Sequence, residues 1–84
     1  MAETKIGTVT HYYTHLHVAG VDITDGELRK GDHIHIKGYT SDFEQDVESM
    51  QIEHEPVDVV KPGDQIGLGV VEHAREHDTV YKVT

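Results

Sequence analysis

Apolar and polar residues alternate with a period of two in short runs along this chain, and turn-forming residues interrupt the runs at short intervals. The cleanest run is 33–37, His-Ile-His-Ile-Lys, which sets Ile34 and Ile36 on one face and His33, His35 and Lys37 on the other. Stretch 65–71 repeats the pattern, with Ile66, Leu68 and Val70 inward and Gly67 and Gly69 outward. Stretch 5–13 alternates weakly around Gly7, and a glycine inside a strand marks a bulge or a close backbone approach. Stretch 15–23 places Leu16 and Val18 opposite His15 and His17, and Ala19-Gly20 allows a bend before Val21 and Ile23. Stretch 43–54 is long for a strand, and Val47 is out of phase with Met50 and Ile52, which predicts a bulge between them. A linking strand at 57–60 and a last strand at 79–83 complete the set, with Pro56 ending the pairing before the link. Thr24-Asp25-Gly26-Glu27, Arg29-Lys30-Gly31-Asp32 and Pro62-Gly63-Asp64 are turn signals.

Six or seven short strands without helical periodicity predict an all-β domain, either a small closed barrel or a sandwich. The expected core is Val9, Leu16, Val18, Val21, Ile23, Leu28, Ile34, Ile36, Val47, Met50, Ile52, Val60, Ile66, Leu68, Val70, Val80 and Val83. At 84 residues the chain is one domain, 1–84, with an ordered part from about 5 to 83. A domain of this size buries only roughly 60–65% of its unfolded surface, which leaves no room for a separate cofactor-binding unit.

Composition narrows the chemistry. The chain has no cysteine, which excludes disulfides and thiolate metal sites. No apolar run approaches the roughly 20 residues of a membrane-spanning helix. The first residues lack a basic region followed by an apolar stretch, so the expectation is a cytoplasmic protein without a signal peptide. Seven basic against sixteen acidic residues give a net charge of −9 with neutral histidine. Such a surface repels phosphate backbones, disfavours non-specific nucleic-acid binding, suits a basic protein partner, and keeps a small domain dispersed. Protonation of all eight histidines would bring the charge to −1, so self-repulsion should weaken steeply between about pH 7 and 5.

Candidate reactive groups are few. His15 and His17, and His33 and His35, form two pairs on strand faces. If 15–23 and 33–37 paired as a hairpin, the two pairs would not converge on the three or four ligands that zinc needs, so no metal site is expected. Neither Ser41 nor Ser49 lies in a nucleophile-elbow pattern, and no carboxylate pair stands out by spacing. Gly63-Asp64-Gln65-Ile66-Gly67-Leu68-Gly69 is a turn and strand without the Lys-Ser/Thr of a phosphate loop. No catalytic residue and no cofactor are therefore expected. Tyr12, Tyr13, Tyr39 and Phe43 could stack on single-stranded RNA, or cap the ends of a barrel.

Four motifs occur in order: Gly7-Thr8-Val9; Gly26-Glu27-Leu28-Arg29-Lys30-Gly31-Asp32; Ser49-Met50-Gln51-Ile52; and Val60-Lys61-Pro62-Gly63-Asp64-Gln65-Ile66-Gly67. Together they make residues 5–83 resemble the second domain of the translational GTPases, closest to elongation factor Tu. The resemblance implies a six-stranded Greek-key barrel that binds and does not catalyse. The GTPase part has no counterpart, so no GTP binding is implied. In elongation factor Tu this barrel helps hold the aminoacyl end of tRNA. The Glu and Asn of that pocket correspond here to Gln51 and Gln65, and the Arg that usually follows Gly in the second strand is missing. The implied binding face includes Gln51, His54, Gln65, Tyr39 and Phe43, and its partner would be RNA, tRNA or a ribosome-associated protein. A similar barrel is also appended to collagenase-like peptidase family proteins. That gives the alternative of a protein-interaction adaptor.

Overall fold

The computed structural model describes residues 2–84, and every regular element in it is a strand. They are β1 (Glu3–Tyr13), β2 (Val18–Ile23), β3 (Leu28–Arg29), β4 (His33–Lys37), β5 (Asp42–Asp46), β6 (Met50–Ile52), β7 (Glu55–Val57), β8 (Val59–Val60), β9 (Gln65–Gly69) and β10 (Thr79–Val83). Eight form one sheet in the order β5-β4-β10-β1-β2-β9-β6-β7, and β3 pairs with β8 as a separate ribbon. All of these pairings are antiparallel.

Strand β1 organises the sheet because it is long enough to serve two partners. Its first half pairs with β10, from Glu3 opposite Val83 to Thr8 opposite Thr79. Its second half pairs with β2, from Gly7 opposite Ile23 to Tyr13 opposite Val18. Register shifts at Ile6 and at Thr10 divide the strand. An extra residue in one strand reverses the facing of the residues after it, and the first shift turns both Ile6 and Val9 into the core. Gly7 sits at this crowded crossing. A Cβ there would lie 2.5 Å from the carbonyl oxygen of Asp22.

Most of the expected core is buried, and the departures are local. Leu16 is 66% exposed. The N–H groups of both Leu16 and His17 donate to the carbonyl of Tyr13, at 3.1 and 3.0 Å, so residues 13–18 are a tight turn rather than the start of a strand. Val18, Ile52 and Val83 are only partly buried. Ile6, Ala19, Phe43 and Ala74 join the core instead.

Two pairings differ from expectation. Strand β4 lies between β10 and β5, not beside β2, because the β3 ribbon carries the chain away after β2. Stretch 43–54 is not one bulged strand: β5 pairs with β4, whereas β6 pairs with β9 and β7. Between them Val47 forms a corner. Its N–H donates to Asp32 O and its carbonyl accepts from Gly31 N–H, both at 2.8 Å. Pro56 does not end pairing but lies opposite Gln51 in β7. β7 is an edge of the sheet, where a residue without an N–H is tolerated.

β5 ends the strand order opposite β7, yet its inner face reaches β9 through one side chain. The amide of Gln45, 8% exposed, donates to Gly69 O at 2.9 Å and to Asp46 O at 3.2 Å, and accepts from Val71 N–H at 2.8 Å. A side-chain amide here does what a strand ladder does elsewhere.

Candidate functional site

A groove of about 390 Å³ opens on the outer face of β2 and β9. Its origin is a pair of facing glycines. Gly20 lies opposite Gly67, and on the same face Asp22 lies opposite Gln65 and Val18 opposite Gly69. With no side chain at the central pair the backbone itself is the floor. Gln51 of β6, opposite Gly67, lies over it: a Cβ on Gly67 would stand 3.0 Å from Gln51 Cγ and 3.1 Å from its Nε2. One wall comes from the β6–β7 turn, with Glu53 and His54. The other comes from Thr10, Tyr13 and Leu16. Thr10, the extra residue of the second β1 bulge, bonds through its hydroxyl to Gly20 O at 3.2 Å.

The structure therefore brings Gln51, His54 and Gln65 together. Tyr39 is elsewhere, fully exposed in the β4–β5 turn beside a depression formed with Thr40 and residues 75–78, which shares no lining residue with the groove. Phe43 is 6% exposed and faces inward from β5, because the alternation of β5 points Phe43 and Gln45 to the core. It is a packing residue and presents no binding surface. Sequence reading missed Asp22, Glu53 and the glycine floor, whereas Tyr13, one of the four candidate stacking rings, does line the groove. The outward Gly67 was visible in the alternation, but its partner Gly20 becomes significant only through the register.

The histidine pairs have different fates. His15 and His17 lie in the 13–18 turn. His33 and His35 project from the outer face of β4 between acidic neighbours of β5 and β1. His33 Nδ1 meets Asp46 at 2.8 Å and its Nε2 meets Glu44 at 2.9 Å. His35 Nδ1 meets Glu3 at 2.8 Å and its Nε2 meets Asp42. Each ring is flanked by carboxylates on opposite edges, and among the described residues no three ligating side chains converge as a metal site would require. The hydrogen bond to Asp46, with that to Glu44, raises the pKa of His33, and the hydrogen bond to Asp42, with that to Glu3, raises that of His35. The partner His35 in turn lowers that of Asp42.

Both imidazoles titrate above their ordinary value of 6.5 when folded, so their contribution is complete below that value. It is lost as pH rises through the raised pKa values. The Asp42 contribution is lost only as pH falls through its depressed one. The melting temperature should therefore be higher at pH 6 than at pH 8.5, and the difference should shrink in the His33→Gln, His35→Gln double variant. Thermal scans at both pH values test this. An undiminished difference would assign the effect to the net charge of the chain.

Residues 17–80 match the family of elongation factor Tu domain 2. The chain belongs to that family. This elongation factor Tu domain 2 chain is 37% identical to an uncharacterised protease of Methanocaldococcus jannaschii over 92% of its own length. It is 35% identical to a collagenase of Porphyromonas gingivalis over 95% of its length. It spans only about a fifth of either relative, 19% and 22%. Its fold is that of the C-terminal domain of a Geobacillus thermoleovorans protein assigned to the U32 peptidases. The TM-score is 0.87, over 98% of this chain and 93% of that one, at 21% identity. The selenomethionine form of the same domain gives 0.84 over 90% and 95%, at 20% identity.

Proposed function

We propose that this elongation factor Tu domain 2 chain is a non-enzymatic protein-interaction domain, the counterpart of the accessory domain of U32-type peptidases, and that it docks through the β2–β9 groove. The observation that carries this reading is the charge of the groove. Its lining includes the carboxylates of Asp22 and Glu53 and the amides of Gln51 and Gln65, and among the described residues it holds no lysine or arginine. On a chain of net charge −9, that lining favours a protein over a phosphate backbone, whose binding relies on Lys and Arg. The matches to protease and collagenase relatives over more than nine-tenths of the chain point the same way. In this reading the sheet order is that of a Greek-key barrel of the translation-protein type, with Gln45 supplying the contact between β5 and β9 that completes it.

The reading is tested by following amide shifts of labelled protein at moderate salt against two additions. One is total tRNA. The other is the Methanocaldococcus relative expressed without its matched segment. Saturable shifts at Gly20, Gln51 and Gly67 with the protein, and none with tRNA, are expected. Saturable shifts of the same residues with tRNA would overturn the reading, as would silence towards the protein.

A further inference from the structure

The β6–β7 connection is a two-residue hairpin turn closed by the pair Ile52 and Glu55. Its central residues are Glu53 at φ 51° and His54 at φ 67°. A tight hairpin with both central residues at positive φ favours Asn-Gly, because side chains with a full Cβ substituent are strained in the left-handed region. Glu does not suit its position for backbone reasons, and His, though commoner than most side chains in the left-handed region, is less suited to its position than glycine. Both are exposed, so packing does not demand them either. What they share is the groove, whose wall they form. Two of the four left-handed non-glycine residues among those described thus line this one feature.

We propose that the groove receives an extended segment of a protein partner carrying a lysine or arginine beside an apolar residue, and that the strained turn is kept in order to hold Glu53 and His54 over that segment. The proposal rests on the reading of the groove as a protein-docking site and names the chemistry of its guest. Charge complementarity sets the basic residue. Asp22 on the floor and Glu53 on the wall are the charged carboxylates of the lining, with no lysine or arginine among the lining residues to neutralise either. The head of a lysine or arginine pairs with Asp22, while Val18 and Tyr13 supply apolar surface at the other end of the same strand face, about 13 Å along β2. The apolar residue covers Leu16, 66% exposed, and the half-exposed ring of Tyr13. Gln51 and Thr10 already lie close over the Gly20–Gly67 floor, so a guest main chain rests on their side chains. Gln51 and Gln65 each supply an amide donor and acceptor for its peptide groups.

The test titrates the folded protein with three blocked synthetic peptides. One alternates leucine and lysine, the second replaces lysine by glutamate, and the third replaces leucine by alanine. Shifts at Gly20, Gln51, Gln65 and Gly67 are expected with the first alone. Two variants complete it. Glu53→Asn with His54→Gly installs the favoured turn sequence, so it should melt at a higher temperature while losing roughly five- to tenfold in affinity. Asp22→Asn should lose affinity by a similar factor. Equal binding of the lysine and glutamate peptides overturns the proposal, as does full affinity in the turn variant or a turn variant that melts lower. If the truncated Methanocaldococcus relative shifts the groove residues and no peptide does, this proposal fails and the protein-docking reading stands. If neither does, both fail.

Discussion

Gly7→Ala is expected to destabilise the domain by about 3 kcal/mol, the upper part of the range for overfilled sites. The cause is backbone against backbone. The new methyl would lie 2.5 Å from Asp22 O and 3.1 Å from Val21 Cγ1, and Asp22 belongs to β2, which is held on its far side by β9. A flexible side chain could swing away from a methyl, but a strand fixed on both edges cannot. Domains of this size have roughly 4–13 kcal/mol in total, so the loss is a large share. Urea unfolding should show a lower midpoint with an unchanged slope. A midpoint like that of the parent would mean that β1 and β2 can separate freely at the bulge.

Gln45→Leu has a comparable expected cost, roughly 2–4 kcal/mol, through a different mechanism. Leucine fills a similar space but abandons three backbone groups, Asp46 O among them at the longest distance. Val71 N–H loses its acceptor and Gly69 O loses its side-chain donor, and an unsatisfied buried group costs about 1–3 kcal/mol. The damage should also be local before it is global. Native-state hydrogen exchange at Val71 should accelerate more than at Val21 in the middle of the sheet, because the lost contact is the one tying β5 to the end of β9. Unchanged protection at Val71 would show that the junction is held by packing alone.

The sequence disclosed those elements whose local pattern matches their tertiary environment. In β4, Ile34 and Ile36 face the core and His33 and His35 face out, as strict alternation requires. In β9 the same holds for Ile66 and Leu68. Periodicity failed where a backbone irregularity resets the phase. Ile6 was missed because the β1 bulge turns it inward beside Val9. Leu16 was misplaced because its N–H closes a turn onto Tyr13, and no periodicity reveals a hydrogen bond of that kind. Val47 did announce an interruption, but a corner between two distant strands and a bulge within one strand give the same break in pattern. For the groove, resemblance reached Gln51, His54 and Gln65. It could not reach Asp22 or Gly20, whose place in the groove comes from the residues opposite them in the register.

The first and last strands are neighbours. β10 runs between β4 and β1, and beyond it Ala2 and Thr84 exchange backbone hydrogen bonds of 3.0 and 2.8 Å. During synthesis, β1 emerges first and waits for a partner made about seventy residues later, while β4 waits for the same strand. Until that strand arrives no strand ladder joins the two parts of the main sheet. Long-range pairing of this kind is slow to form and leaves unpaired edges exposed meanwhile. The facing edges of β1 and β4 therefore stay open until nearly the whole of this stretch has left the ribosome, which makes timing, and chaperone cover during it, part of what the topology demands.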